Sequence, residues 1–494
     1  MLYRGGLLAL IGAAAPVAAR TYKVPSKPST SGEPLDGFVS YSIEFSSFPD
    51  FAGTCSPNTF SYNLLNNLGG LGGTKPYIRV GGNTQDYALY NASQQPALIG
   101  SVDPRRSPDY PTTVHIGKAY FESYRTWPGV KFSHGLNMGL GGTRPAGWQT
   151  LVDTVPLACE ALGGQLYAWE YGNEPDLFST SAQGPVRPPA WNESAYVWQW
   201  RNATAEIRRR ADRLCPEMRR PRFMAPSFAG VGSRFHARTA WEAGLDGDND
   251  VEFFSTHNYI SGANSPGVTL QGTLMNHAMT TKSVDAHTQE YASIFAGAPK
   301  SAPPLIFGET NSLYSQGKPG LSNSFGAALW GVDFNLYAAS AGVRRVHMHQ
   351  GTNYRYQAWQ PVSTDKDSVG TKAPYYGSIA VAAMVAPSNK QPVRISSIPL
   401  SSDEREAAYA AHASSGQLAR ITVVNMHAYN TTVDGAGLEP LPRPDARRSR
   451  PYAFAVEGVA DGQTVLVQRL LANGSDAITG ITYDGWSYNW DLDR

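Results

Sequence analysis

The chain has 494 residues, too many for one compact core and enough for a large catalytic domain with an accessory one. Its 41 basic and 40 acidic residues leave a formal charge of +1, which excludes an electrostatic footprint for nucleic acid. Hydrophobic residues at 41% and aromatics at 11% fit an ordinary globular protein.

At the N-terminus, Arg4 precedes the apolar stretch LLALIGAAAPVAA and small residues ending at Ala19, the layout of a cleavable secretory signal over 1–19. The apolar stretch is shorter than the roughly 20 residues of a membrane span. A secreted, extracellular protein without a membrane anchor is expected, and the sequons at Asn91, Asn192, Asn202, Asn430 and Asn473 offer N-glycan sites. Three cysteines allow one disulfide; Cys159 with Cys215 is the expected pair, because each lies near the end of a predicted helix. No CxxC pair or His/Cys cluster has ligand spacing, so no structural zinc site is expected.

Residues 20–36 are rich in Pro, Ser and Thr and read as an extended lead-in able to add a strand to a later β domain. Eight apolar runs follow: FVSYSIEF (38–45), YIRVGG (77–82), VKFSHGLNMG (130–139), LYAWEYGNEP (166–175), RFMAPSF (222–228), VEFFSTHNY (251–259), PLIFGETN (304–311) and VRRVHMHQ (343–350). Helix-like segments such as 195–214 and 324–341 separate them, so strands alternate with helices. Eight units in about 350 residues predict an α/β fold, a (β/α)8 TIM barrel over 37–387. A doubly wound open sheet could also be cut from this pattern, but it would usually carry a Gly-rich phosphate loop after its first strand, where SYSIEFSSF stands with no GxGxxG and no P-loop; no cofactor is implied. From 388 to 494 the texture turns to short alternating runs such as QLARITVVNM, YAFAVEGV and QTVLVQRLL, which predict an antiparallel β-sandwich. The basic runs at Arg208, Arg209, Arg210 and Arg213, and at 443–450, read as solvated surface.

In a barrel, chemistry gathers at the C-terminal ends of the strands. Two of those ends carry a glutamate directly after an apolar run, Glu174 in GNEP after the fourth strand and Glu309 in FGETN after the seventh. Pro175 stops regular structure there and presents the carboxylate. Two such glutamates facing each other across the barrel mouth can hydrolyse a sugar acetal, one protonating the departing oxygen and the other attacking the anomeric carbon.

The placement of Asn-Glu-Pro after strand four and Glu after strand seven resembles the retaining glycoside hydrolases built on (β/α)8 barrels. Within them, RVGGNTQD (79–86), WEYGNEPDLF (169–178), STHNY (255–259), FGETNSLY (307–314) and the C-terminal sandwich look like glycoside hydrolase family 79, which holds secreted β-glucuronidases and endo-acting heparanases. The resemblance implies Glu174 as acid/base and Glu309 as nucleophile. It also implies that Asn173 binds the sugar 2-hydroxyl and that Tyr259 donates to Glu309. For the uronic carboxylate it implies tyrosines and main-chain amides of the loops after strands seven and eight, here Tyr314, Gln316, Gly317 and Tyr356. Glu44 and Asn83 are candidates for the other hydroxyls, and Arg79 either braces the barrel or touches sugar. His134, His257, His347 and His349 sit on strands without assured chelating spacing, so no metal is expected, and Trp169, Trp191, Trp330 and Trp359 are either sugar platforms or core.

The expected function is therefore a retaining exo-β-glucuronidase acting on terminal β-D-glucuronic acid, with or without a 4-O-methyl group, in glycans or glycosides. An endo-acting heparanase-like enzyme, a retaining β-glucosidase or β-xylosidase, and a non-catalytic carbohydrate-binding protein stand as alternatives.

Overall fold

A computed structural model describes residues 20–28, 30–181, 184–215, 222–297, 302–447, 449–457 and 462–489. The expected signal segment lies outside the described residues.

Eight parallel strands close into a barrel in simple sequential order: β1 (Val39–Glu44), β2 (Ile78–Gly81), β3 (Phe132–Leu136), β4 (Leu166–Tyr171), β5 (Phe223–Phe228), β6 (Val251–Gly262), β7 (Leu305–Tyr314) and β8 (Arg345–Gln350). Each falls on one of the eight apolar runs, though β6 and β7 extend three residues further than the runs did. β1, β2, β3, β5 and β8 are buried at every residue, as strands covered on both sides must be. A short helix at Phe48–Ala52 follows β1, and the other helices around the barrel are α1 (Thr59–Gly72), α2 (Ala119–Glu122), α3 (Pro145–Leu162), α4 (Glu193–Leu214), α5 (Ala237–Glu242), α6 (His277–Phe295), α7 (Phe325–Ser340) and α8 (Ala373–Val385). Side chains of Asn192, Asn276 and Ser324 cap α4, α6 and α7 by accepting a backbone N–H. The Cys159–Cys215 disulfide forms as expected and ties α3 to the residue after α4, with a Cα–Cα distance of 5.2 Å.

The C-terminal part is a β domain. Strands β9 (Val393–Ser397), β10 (Glu406–Ala413) and β11 (Leu418–Asn425) form an antiparallel sheet. β12 (Ala453–Val456) pairs in parallel with the lead-in strand Thr21–Val24, and β13 (Leu470–Leu471) pairs antiparallel with β14 (Thr482–Tyr483). Helices α7 and α8 are apolar nearly all round because they lie between the barrel and this domain. The junction includes Tyr409 on β10, whose hydroxyl donates to the buried Asp333 of α7 at 2.7 Å, and His277, which meets the same carboxylate at 2.9 Å.

The long connection after β2 carries a small sheet of its own, Ala88–Tyr90, Leu98–Ser101 and Thr113–Ile116. Sequence patterning did not show it, since Leu98–Ser101 is largely exposed and lacks an apolar face. This insertion forms one wall of the barrel mouth.

Candidate active site

Two local irregularities aim the glutamates. Past β4, Glu174 adopts a left-handed backbone conformation (φ 46°, ψ 51°), which a residue with a Cβ enters only at a cost of about 1–2 kcal/mol. Its N–H donates to Ser227 O at 3.0 Å, and Pro175 opens a short 3-10 turn, so the surroundings hold the strained residue in place. On β7 the register against β6 steps from Thr256–Phe307 to His257–Glu309, leaving Gly308 as an extra residue. Such a bulge turns the next side chain. A Cβ at Gly308 would lie 2.2 Å from Ser255 Oγ, so any larger residue must displace a buried serine hydroxyl that Ser227 donates to.

Between them lies Arg79, fully buried on β2. Its Nε donates to Glu170 at 2.8 Å, its Nη1 to Glu309 Oε2 at 2.5 Å and to Ser42 at 2.9 Å, and its Nη2 to Asn173 Oδ1 at 2.7 Å. Arg79 therefore braces the barrel mouth. Tyr259 donates to the other oxygen of Glu309 at 2.7 Å. Asn173 is fixed at a second point, its N–H on Asp86 at 2.8 Å, and its amide nitrogen donates to Asn83 at 3.1 Å. Asp86 also accepts the N–H groups of Met138 and Gly139, locking the ends of β3 and β4 together. Burial pushes the Asp86 carboxyl up to about 7 in spite of these bonds.

One carboxylate oxygen each of Glu174 and Glu309 and one ring nitrogen of His257 lie within 4.8 Å of one another. Burial, and next the charge on Glu309, raise Glu174 to about 8, against the fields of Arg79 and His349. Burial alone would raise Glu309 too, but His349, His257, Arg79 and the Tyr259 hydroxyl draw it well below the usual carboxylate range. Of these, Arg79 is the permanent charge, since burial takes His257 itself down to about 4 and leaves its ring neutral at pH 7. His257 Nδ1 is hydrogen-bonded to Glu174 at 3.0 Å. The three donor atoms could gather round a cation, but the Arg79 guanidinium already supplies the positive charge there.

The other predicted residues surround this pair in a cleft of about 1550 Å³, several times the size of one sugar ring. Glu44 lines it and is held by Thr84 at 2.6 Å and Tyr354 at 3.1 Å. Tyr356 is buried beside Tyr259, with ring centroids 6.1 Å apart. Tyr314 stands at the rim, 52% exposed, its ring lying over Gly262 and its hydroxyl 3.3 Å from Ser265. Ser315, Gln316 and Gly317 follow in left-handed conformations. The Gly317 N–H donates to Leu313 O at 3.1 Å, so this amide is directed into the turn. The four tryptophans are core: each is at most 8% exposed. His134 and His347 are buried against Tyr124 and Tyr167, away from the cleft, whereas His257 and His349 line it.

Sequence reasoning missed Glu170, Asp109, Tyr110 and Arg355. Glu170 is masked by the apolar run WEY; Arg355 sits between Tyr354 and Tyr356 in TNYRYQAW, where a cation among tyrosines was a usable signal. Its guanidinium donates to both Asp109 oxygens at 2.6 and 3.0 Å and to the carbonyls of Ser315 and Gly317.

Residues 408–494 match the glycosyl hydrolase family 79 C-terminal beta domain. Over 99% of its length the chain is 58% identical to a beta-glucuronidase of Neurospora crassa, covering 90% of that protein. The chain belongs to glycoside hydrolase family 79. A beta-glucuronidase of Aspergillus niger is 51% identical over 93% of the chain and 84% of its own length. Among solved structures, a 4-O-α-L-rhamnosyl-β-D-glucuronidase from Fusarium oxysporum in complex with Rha-GlcA superimposes with a TM-score of 0.72 at 25% identity, over 94% of this chain and 91% of that one. A family 51 α-L-arabinofuranosidase from Bifidobacterium longum, at 13% identity and a TM-score of 0.61 over 94% of both chains, shares the fold. The protein is thus a family 79 glycoside hydrolase, a TIM barrel with a C-terminal antiparallel β-sandwich domain.

Proposed function

We propose that the protein is a retaining exo-β-glucuronidase in which Glu174 is the acid/base and Glu309 the nucleophile. The observation that carries this reading is a carboxylate pair with oxygens within 4.8 Å and proton affinities driven apart, Glu174 up and Glu309 down. Retention needs the carboxyls roughly 5 to 5.5 Å apart, whereas inversion leaves about 6.5 to 9.5 Å for a water. Family 79 relatives named beta-glucuronidases, at 58% and 51% identity, support the substrate class.

In the first step Glu309 attacks the anomeric carbon as the glycosidic C–O bond breaks, and the Glu174 proton passes to the leaving oxygen. The α-linked glycosyl ester on Glu309 removes that residue's negative charge, so Glu174 becomes a stronger acid and settles as a carboxylate. It then takes a proton from water, whose oxygen attacks the same carbon and releases β-glucuronic acid. Tyr259 and Arg79 keep Glu309 ionised and aligned. Asn173, with its oxygen engaged by Arg79, offers its amide N–H to the 2-hydroxyl, a contact that strengthens in the transition state. Tyr356, Tyr314 and the turn at Gln316 and Gly317 form the side of the cleft assigned to the uronic carboxylate, and Glu44 and Asn83 the side assigned to hydroxyls.

We also read residues 1–19 as a secretory signal, 37–387 as the catalytic domain and 388–494 with the lead-in as the accessory domain. The five sequon asparagines are read as N-glycan acceptors. All are exposed, and no helix among the described residues is long and apolar enough to cross a membrane. The deciding assay compares aryl β-glucuronide with the matching β-glucoside and β-xyloside, following the first-formed anomer by NMR. Strong preference for the glucuronide with β product first is expected; preference for an uncharged sugar, or α product first, would overturn the reading.

A further inference from the structure

Three consecutive residues of the insertion after β2 are gripped by the loop after β8. Lys366 Nζ donates to Pro108 O at 2.6 Å, Arg355 forms its bidentate pair with Asp109, and the Tyr110 ring packs edge-on against Tyr354 at 6.5 Å. The Arg355 and Asp109 side chains are only 25% and 7% exposed, so this pair is partly removed from water and geometrically exacting. Arg355 also holds the carbonyls of Ser315 and Gly317, joining a third loop to the same point.

The position of this clasp relative to a bound sugar follows from the hydrogen-bond row leading to it. A sugar seated with C1 between Glu174 and Glu309 and its 2-hydroxyl at Asn173 would run its next hydroxyls along Asn173, Asn83 and Tyr110, which all line the cleft. These are linked in turn at 3.1 Å and 3.1 Å. Tyr110 ends that row and belongs to the clasp. We infer that the Pro108–Asp109–Tyr110 clasp is the specificity-determining wall that closes the O4 side of the pocket and confines the enzyme to unsubstituted, terminal glycosyl units. This rests on the proposed exo-β-glucuronidase reading. The wall is held by an ion pair between loops rather than by the barrel, so it can be opened without touching the carboxylate pair.

The test uses the full-length enzyme, an aryl β-glucuronide, and the same glycoside bearing a second sugar on O4. Wild type is expected to prefer the uncapped substrate strongly. Asp109→Ala is expected to narrow that preference by about tenfold or more, read as the ratio of kcat/KM for capped over uncapped substrate within the variant, so that any loss shared by both substrates cancels. Lys366→Met, an exposed position outside the cleft, is expected to narrow it by about threefold and serves where Asp109→Ala does not fold. Unchanged preference in these variants, with uncapped hydrolysis retained, overturns the clasp, as does a wild type that cleaves both substrates equally. A wild type inactive on both substrates overturns instead the glucuronidase reading beneath it.

Discussion

Arg79 on β2 reaches across the barrel to Glu309 on β7, Nη1 to Oε2 at 2.5 Å, with Glu170 on the other side of the same guanidinium. One buried cation is thus shared between two buried carboxylates. Removing it leaves both uncompensated, which is expected to destabilise the protein by about 3–5 kcal/mol. Arg79→Met should lower the thermal midpoint far more than a surface Arg→Met change and abolish activity; a midpoint equal to wild type would refute this balance.

Glu174→Gln should keep the fold and lose about 10²- to 10⁴-fold in kcat, the worth of a positioned acid. The loss should be smallest for substrates whose leaving group needs no proton, such as a dinitrophenyl glucuronide. Glu309→Ala should be inactive on both. Azide, filling the space of the missing carboxylate, should give β-glucuronyl azide with Glu174→Ala and α-glucuronyl azide with Glu309→Ala. Reversed products would exchange the two roles.

The opposed shifts set the pH profile. Glu174 must be protonated, so the basic limb of kcat/KM should fall near pH 8, while Glu309, held low, leaves activity intact well into the acid range. Activity flat through pH 9 would count against this. The stability sign is the reverse of the usual carboxylate case. Because burial lifts Glu174 from its ordinary 4.5 to about 8, the folded state binds the extra proton, and its stability falls as pH rises through that window. Glu174→Gln should flatten that part of the melting curve against pH.

Much of this arrangement was legible in the sequence because it rests on local signals. Eight apolar runs located eight strands, and Asn-Glu-Pro and Phe-Gly-Glu-Thr marked chain that stops being regular where a carboxylate must be shown. What was not legible depends on pairs distant in sequence. Glu170 looks like part of an apolar strand until Arg79, ninety-one residues earlier, is placed beside it, and Asp109 gains meaning only from Arg355. The C-terminal reading was partly wrong for a related reason. QTVLVQRLL alternates like a strand, yet only Leu470 and Leu471 pair, and Val465, Leu466 and Val467 are exposed, because no neighbouring strand among the described residues meets that edge.

Cys159 and Cys215 close a stretch with a sequence separation of 56 between α3 and the end of α4. Reducing or replacing the pair as Cys159→Ser with Cys215→Ser frees the unfolded chain and is expected to cost about 2–4 kcal/mol, read as a lower denaturation midpoint. Both cysteines lie on the outer side of the barrel, so kcat for the folded fraction should not change.

Tyr259→Phe isolates the hydrogen bond to Glu309 from the packing of the ring. The ring still packs beside Tyr356, so the fold should hold, but the nucleophile loses its 2.7 Å donor. A hydrogen bond to a charged group is worth about 1.5–3 kcal/mol, which predicts a fall in kcat of roughly 10- to 100-fold. A merely structural tyrosine would lower activity without moving the pH profile. Because the hydroxyl helps hold Glu309 below its ordinary range, its loss must also shift the acid limb of kcat/KM to higher pH. A drop in kcat with an unmoved acid limb would assign Tyr259 to packing alone and leave Arg79 as the residue that keeps the nucleophile ionised.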